Sequence, residues 1–309
     1  MRLLSFLTSC ILVGSLGAAV TFGHAEQKDT PVFGRTEPSM YRVLPSHSGA
    51  GVHLFQELLG SGMGIFESNF LWVHRCKIPP KSGIGQHLQR FMEDMFWVFN
   101  ASAEYTLDGH TALLPAGSSV LCPMGSSHGI YNNSETDTLE FINIAVSLEK
   151  YGPNINLGII DFNDSLTTQK LESPPPFAWA HLDRSLLKPL TGMHGGEGTL
   201  LFCRLWDEHS FKTAWASIDH VVLPPGTSIG YHRHQTIEEI YYIISGHGRF
   251  TVNGYTWDIR PHDAVPCTLH DAHGVYNNSD NDLEFFMMTV AMKKGVADYE
   301  DLGDDLKNR

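Results

Sequence analysis

Two histidines one residue apart, His232 and His234, are followed by Glu239 and, further on, by His273. On a β-strand, residues i and i+2 share a face, so His232 and His234 project together. Glu239 opens the next strand after a short turn and can return to the same point, and His273 arrives from a later strand. Three imidazoles and one carboxylate suit a divalent first-row metal ion, and Mn, Fe, Zn, Ni and Cu all accept such a set. The imidazoles are neutral and the glutamate carries one negative charge. A bound divalent ion would therefore keep a local charge of about +1, which favours an anionic or enolate-like small molecule. Tyr241 shares Glu239's parity and should face inward. With His270, three residues ahead of His273, it is a candidate acid or base beside the ion. The plainer readings are a core phenol for Tyr241 and surface-loop histidines at the barrel mouth for His270 and His262.

The elements that must position these residues are written twice. The stretch His128-Gly-Ile-Tyr-Asn-Asn-Ser134 returns 145 positions later as His273-Gly-Val-Tyr-Asn-Asn-Ser279. In the same register Pro79-Pro80 falls on Pro224-Pro225, Ile84-Gly85-x-His87 on Ile229-Gly230-x-His232, and Cys122 on Cys267. So long a register indicates duplication of a whole domain. Within each copy the signal is β. Phe96-Trp-Val-Phe99 and Ile240-Tyr-Tyr-Ile-Ile244 are aromatic and β-branched runs. Asp108-Gly109 and Asn253-Gly254 suit tight hairpins that need positive φ at both central residues. Many short, evenly spaced strands predict an all-β chain of two jelly-roll barrels in tandem. The expected divisions are a barrel over 42–150, a connection over 151–190, a second barrel over 191–297 and an acidic tail over 298–309. The tail reads as a solvated terminal helix or a frayed end.

The second copy, Gly226-x5-His232-x-His234-x4-Glu239-x6-Gly246, resembles the first motif of the cupin superfamily at every defined position. Gly117-x5-Pro123-x-Gly125-x2-His128-x3-Asn132 matches that family's second motif completely. The resemblance covers nearly all of the chain beyond its leader and marks it as similar to a bicupin. It implies a β-barrel in each half and a metal held by His232, His234, Glu239 and His273. It does not specify a reaction, because cupins range over oxygenases, decarboxylases, isomerases, lyases, storage and sugar-binding proteins.

Each half keeps only one motif intact. In the second copy His262, Thr268 and His270 replace the second motif's Gly, Pro and Gly, which shape turns. In the first copy Gln89 replaces a histidine ligand and Asp94 the glutamate, while His87 and His128 remain. An amide oxygen is a harder, weaker ligand than imidazole. The set His87, Gln89, Asp94 and His128 is therefore a weak second metal site or an empty one, with Glu93 as an alternative to Asp94.

Before Glu26 the only charge is Arg2, and an apolar run from Leu3 to Phe22 leads to Gly23-His24-Ala25. This pattern predicts a signal peptide over 1–25 and a secreted or periplasmic protein. Cleavage after Ala19 and an uncleaved anchor are the alternatives. A net charge of −13 without a Lys/Arg run makes nucleic acid and anionic membrane poor partners. Of the five cysteines Cys10 lies in the leader. Cys122 and Cys267 hold matched positions, which reads as buried thiols. Two function classes follow. One is a metal-dependent enzyme on a small oxygenated molecule, for which the resemblance to cupins implies oxygenase chemistry first, lyase or decarboxylase next and isomerase after. The other is a non-catalytic cupin that binds a small molecule or sugar. Two barrels in one chain can pair as a monocupin dimer does, and the oligomeric state stays open.

Overall fold

The computed structural model describes residues 32–309, so the expected signal peptide lies outside the described residues. Strands dominate, and the helical elements among the described residues are 3-10 turns of three residues each. In the first half a seven-stranded sheet runs Arg42–Leu44, His53–Gly60, Phe70–Ile78, Leu139–Ser147, Met92–Val98, Ser118–Cys122, Trp179–His181. It faces a six-stranded sheet ordered Ile159–Asp161, Ser82–Gln89, Ser127–Asn132, Ala103–Leu107, His110–Leu114, Leu171–Glu172. The second half repeats the plan with six and five strands, which makes two jelly rolls in tandem.

Local sequence explains the turns. Asp108 and Gly109 have φ of 48° and 82°, and Asn253 and Gly254 have 49° and 82°, the double positive φ of a tight hairpin. In the duplicated turn, Asn132 Nδ2 donates to the carbonyls of Ile78 and Asp137, and Asn277 Nδ2 to those of Leu223 and Asn281. Each asparagine is fully buried and ties its turn to a neighbouring strand. Gly85 and Gly230 are required for a different reason. A Cβ on either would overlap the backbone carbonyl of His47 or His194, which crosses directly above.

Three clusters form most of the core. One fills the first barrel around Phe96, Tyr105 and Phe141, and another fills the second around Tyr241, Phe250 and Phe285. The largest lies between the barrels. Phe70, Val73, Met95, Trp97, Ile142 and Ile144 meet their repeat equivalents Trp215, Ile218, Ile240, Tyr242, Phe286 and Met288. Strands of these large sheets are therefore apolar on both faces, which is why their sequences run hydrophobic without alternation.

Two expectations are corrected. The connection over 151–190 is not a free linker: three of its segments add to sheets of the first barrel, through pairs such as Asp161↔His87 and Trp179↔Val120. The acidic tail is not a solvated helix or a frayed end: its helical part is one 3-10 turn, Leu306–Asn308, and the rest is anchored. Glu300–Asp301 pairs with the strand carrying His232, and Leu306 is buried against Gly274. Two backbone pairs, the buried Leu306 and the carboxylates of Asp298 and Asp304, which accept from Gln235, Thr236, Glu197 and Ser228, anchor it.

Candidate functional site

His232 lies on the strand Ser228–Arg233, with His234 just beyond its end, and Glu239 lies on Ile237–Ser245. His273, on Ala272–Tyr276, is the direct cross-strand partner of His232. All four side chains are buried, and one ligand atom from each lies within 4.8 Å of the others. Among the described residues this is the one such group of His, Cys, Asp or Glu. Glu239 Oε2 is the common point, 3.0 Å from His273 Nε2, 3.6 Å from His234 Nε2 and 3.9 Å from His232 Nε2.

The far nitrogens fix the tautomers. His232 Nδ1 donates to the Gly230 carbonyl at 2.7 Å, His273 Nδ1 to that of Asp271 at 3.0 Å, and His234 Nδ1 to that of Asp298. Each Nε2 therefore offers its lone pair inward, and those of His232 and His234 are buried with no hydrogen-bond partner. Orphaned imidazole nitrogens around one carboxylate fit a divalent ion, and this cluster could hold one. Burial pushes the Glu239 carboxyl up, but the three imidazoles overcome this and hold it well below the usual range. Burial lowers His234, yet Glu239 and Asp298 bring its net pKa above the ordinary histidine value. Tyr241 donates its hydroxyl to Glu239 Oε2 at 2.9 Å from behind the cluster.

A cavity of about 740 Å³ opens over His234 and Glu239. Arg204 lines it and is held by Asp219, Nε to Oδ1 at 2.9 Å and Nη2 to Oδ2 at 3.3 Å. Glu208, His209 and Tyr299 stand around the same space. Neither of the two expected acid/base residues lines it. Tyr241 is buried behind Glu239, and the exposed His270 lies on the turn beyond, its backbone N–H donating to the His234 carbonyl. His262 is not at the mouth: its ring meets the Tyr242 hydroxyl at 3.1 Å, beside Phe99 of the first barrel. Both histidines have left-handed backbone, φ 70° and 69°, where the intact second motif has Gly117 and Gly125.

The first barrel gathers His87, Gln89, Asp94 and His128 at the matching place. Gln89 Nε2 donates to Asp94 Oδ2 at 2.8 Å, and His128 Nε2 is 3.6 Å from the same oxygen. Burial pushes Asp94 up to about 7 and His87 down to about 4. Glu93 points the other way. Its carboxylate accepts the backbone N–H groups of Lys212 and Thr213, so it is no stand-in for Asp94.

Three features escaped sequence reasoning. His194 stacks on His232 at 4.0 Å, and His47 stacks on His87 at 3.6 Å. These two are 147 positions apart rather than 145, so the repeat register hid them. The Asp298 carbonyl that orients His234 comes from the tail, and the Arg204–Asp219 pair lies on strands outside both motifs.

Residues 219–289 match the family model for the Cupin domain. The chain belongs to the cupin superfamily, in a bicupin arrangement. It is 30% identical over 103 residues to the oxalate-binding protein of Thermotoga maritima, covering 33% of this chain and 85% of that one. Among solved structures, it resembles the oxalate decarboxylase of Bacillus subtilis at a TM-score of 0.55, with 17% identity over 85% of this chain and 77% of that one. Mn(II) centres occur in that enzyme. The formate complex of the Lactobacillus farciminis oxalate decarboxylase gives a TM-score of 0.58, at 15% identity over 88% of this chain and 89% of that one. At such identities these two likenesses establish the fold.

Proposed function

We propose that this is an exported bicupin that holds one divalent metal ion through His232, His234, Glu239 and His273 and acts there on a small carboxylate anion. The supporting observation is the tautomer lock: three imidazoles with Nδ1 tied to backbone carbonyls and Nε2 facing one carboxylate beneath an open cavity. A bound ion would supply positive charge to a substrate carboxylate. Arg204 would set the position of a second anionic group, with Asp219 orienting its guanidinium. Tyr241 acts as a positioning residue that holds Glu239. Glu208 and His209, at the rim, are the titratable side chains placed to give or take a proton. Decarboxylase-type lysis moves ahead of oxygenase chemistry because the 30%-identical relative is named for oxalate.

The same relative favours a second reading, in which the site binds the dianion and leaves it unchanged. Carbon-13-labelled oxalate separates the two. The first reading expects labelled formate and carbon dioxide from metal-loaded protein, with loss of activity in His232→Ala and about tenfold weaker binding in Arg204→Ala. Binding without product supports the second reading. Oxygen uptake with another substrate and no binding of oxalate would contradict both.

A further inference from the structure

The first barrel holds a cavity of about 210 Å³ over His87, Gln89, Asp94 and His128. Its walls differ in kind from those of the second barrel. At the strand positions where the second barrel has Ser217, Asp219 and Met287, the first has Trp72, His74 and Asn143. Phe55, His74 and Trp72 form a ladder of rings, with centroids 5.1 Å apart at each step and the last two within 5° of parallel. No Lys or Arg is among the lining residues, whereas Arg204 lines the other cavity.

The floor is polar and incompletely paired. Asp94 Oδ1, Gln89 Oε1, Asn143 Nδ2 and both ring nitrogens of His128 are buried without hydrogen-bond partners. Trp72 Nε1 donates to Asn143 Oδ1 at 2.6 Å, which fixes the amide and leaves its Nδ2 free. Each unpaired buried group is destabilising until a partner satisfies it. A hydroxyl that accepts from Asn143 and donates to Asp94 or Gln89 would relieve part of that cost. A flat ring would cover the aromatic wall. The volume is below the roughly 300–1,000 Å³ of sites for drug-sized ligands, so a one-ring molecule fits.

We infer that the first barrel binds, without a metal ion, a small neutral hydroxylated aromatic molecule. Its ring lies on the Phe55–His74–Trp72 wall and its hydroxyl lies between Asn143 and the Asp94–Gln89 pair. The duplicated barrel has thus been refitted from an ion-centred anion site to an uncharged aromatic one. None of this uses the second barrel's cluster, so the two readings can fail separately.

Phenol is the probe, titrated calorimetrically into the full chain, with cyclohexanol and benzoate as controls. The expectation is one phenol per chain with a Kd of about 1 mM or tighter and at least tenfold weaker binding of both controls. His232→Ala leaves phenol binding unchanged. Trp72→Ala weakens it about tenfold, and Asn143→Leu, which keeps the branching and heavy-atom count, about fivefold, with both variants still folded at the assay temperature by circular dichroism. Equal binding of cyclohexanol overturns the inference, as does loss of phenol binding in His232→Ala. So does a second metal equivalent that His128→Ala removes, or no phenol binding at about 20 mM.

Discussion

At the scale of single residues, the site depends on what lies behind the four side chains. Tyr241 donates to the one oxygen that all three imidazoles face, so it orients Glu239 and disperses its charge. Tyr241→Phe should weaken metal affinity about tenfold while leaving the fold intact, measured by competition with a chelating dye. Unchanged affinity would show that the phenol is only core. The pH dependence has a definite sign. Glu239 is ionised well below neutrality, and His234 has its pKa raised, so the proton that competes with the metal is on His234. Affinity should be flat above that raised pKa and fall by about one log unit per pH unit below it, because one proton must leave. A flat profile from about pH 5 to 8 would contradict this assignment. The four side chains were legible because spacing on a strand dictates facing. Tyr241's inward parity was legible too. That it faces Glu239 from behind was not, since parity cannot say on which side of the cluster a side chain sits.

At the scale of elements, the strand carrying His232 is held between two segments distant in sequence. One is the strand of His273. The other is the tail, whose Asp298 carbonyl accepts from His234 Nδ1 and whose carboxylate accepts the backbone N–H groups of Gln235 and Thr236. Removing residues 298–309 should leave a folded protein whose metal affinity is 10- to 100-fold lower, as is usual when the partner that orients a ligand is lost. Titration of the truncated chain would show this, and wild-type affinity would refute a role for the tail. The hairpins were legible because Asp-Gly and Asn-Gly name their own dihedral angles. The tail was not, because acidic composition reads as solvated, whereas Asp298 and Asp304 turn their carboxylates onto backbone N–H groups and the Ser228 hydroxyl, and Leu306 is buried. His262 and His270 show the converse. They keep the left-handed turn that glycine made easy, at a strain of roughly 1 kcal/mol each.

At the scale of the whole molecule, the barrels pack through reciprocal contacts at repeat-equivalent positions. Glu93 of the first accepts the N–H groups of Lys212 and Thr213 in the second, and Glu238 of the second accepts those of Glu67 and Ser68 in the first. The segments ahead of each barrel are exchanged as well. Trp179–His181 adds to the first barrel, and Gly34 bridges to Ala264 of the second. The connection over 151–190 therefore lies along the first barrel, three of its segments pairing with that barrel's strands. Glu93→Ala and Glu238→Ala should each cost about 2 kcal/mol in urea unfolding, since each leaves one buried and one part-buried backbone donor unpaired. A loss under about 1 kcal/mol would mean that these contacts are incidental to barrel pairing. The duplication made the two barrels legible. Their mutual packing was not, because strands buried on both faces look the same whether the second face meets a helix, a partner subunit or the other half of the same chain.

The most direct measurement is the metal content of the purified, reconstituted chain, with the element identified. The expectation is one tightly bound ion per chain, lost in His232→Ala and retained in Gln89→Ala. No bound metal after reconstitution would contradict the second-barrel site, and two equivalents would contradict the division of labour between the barrels.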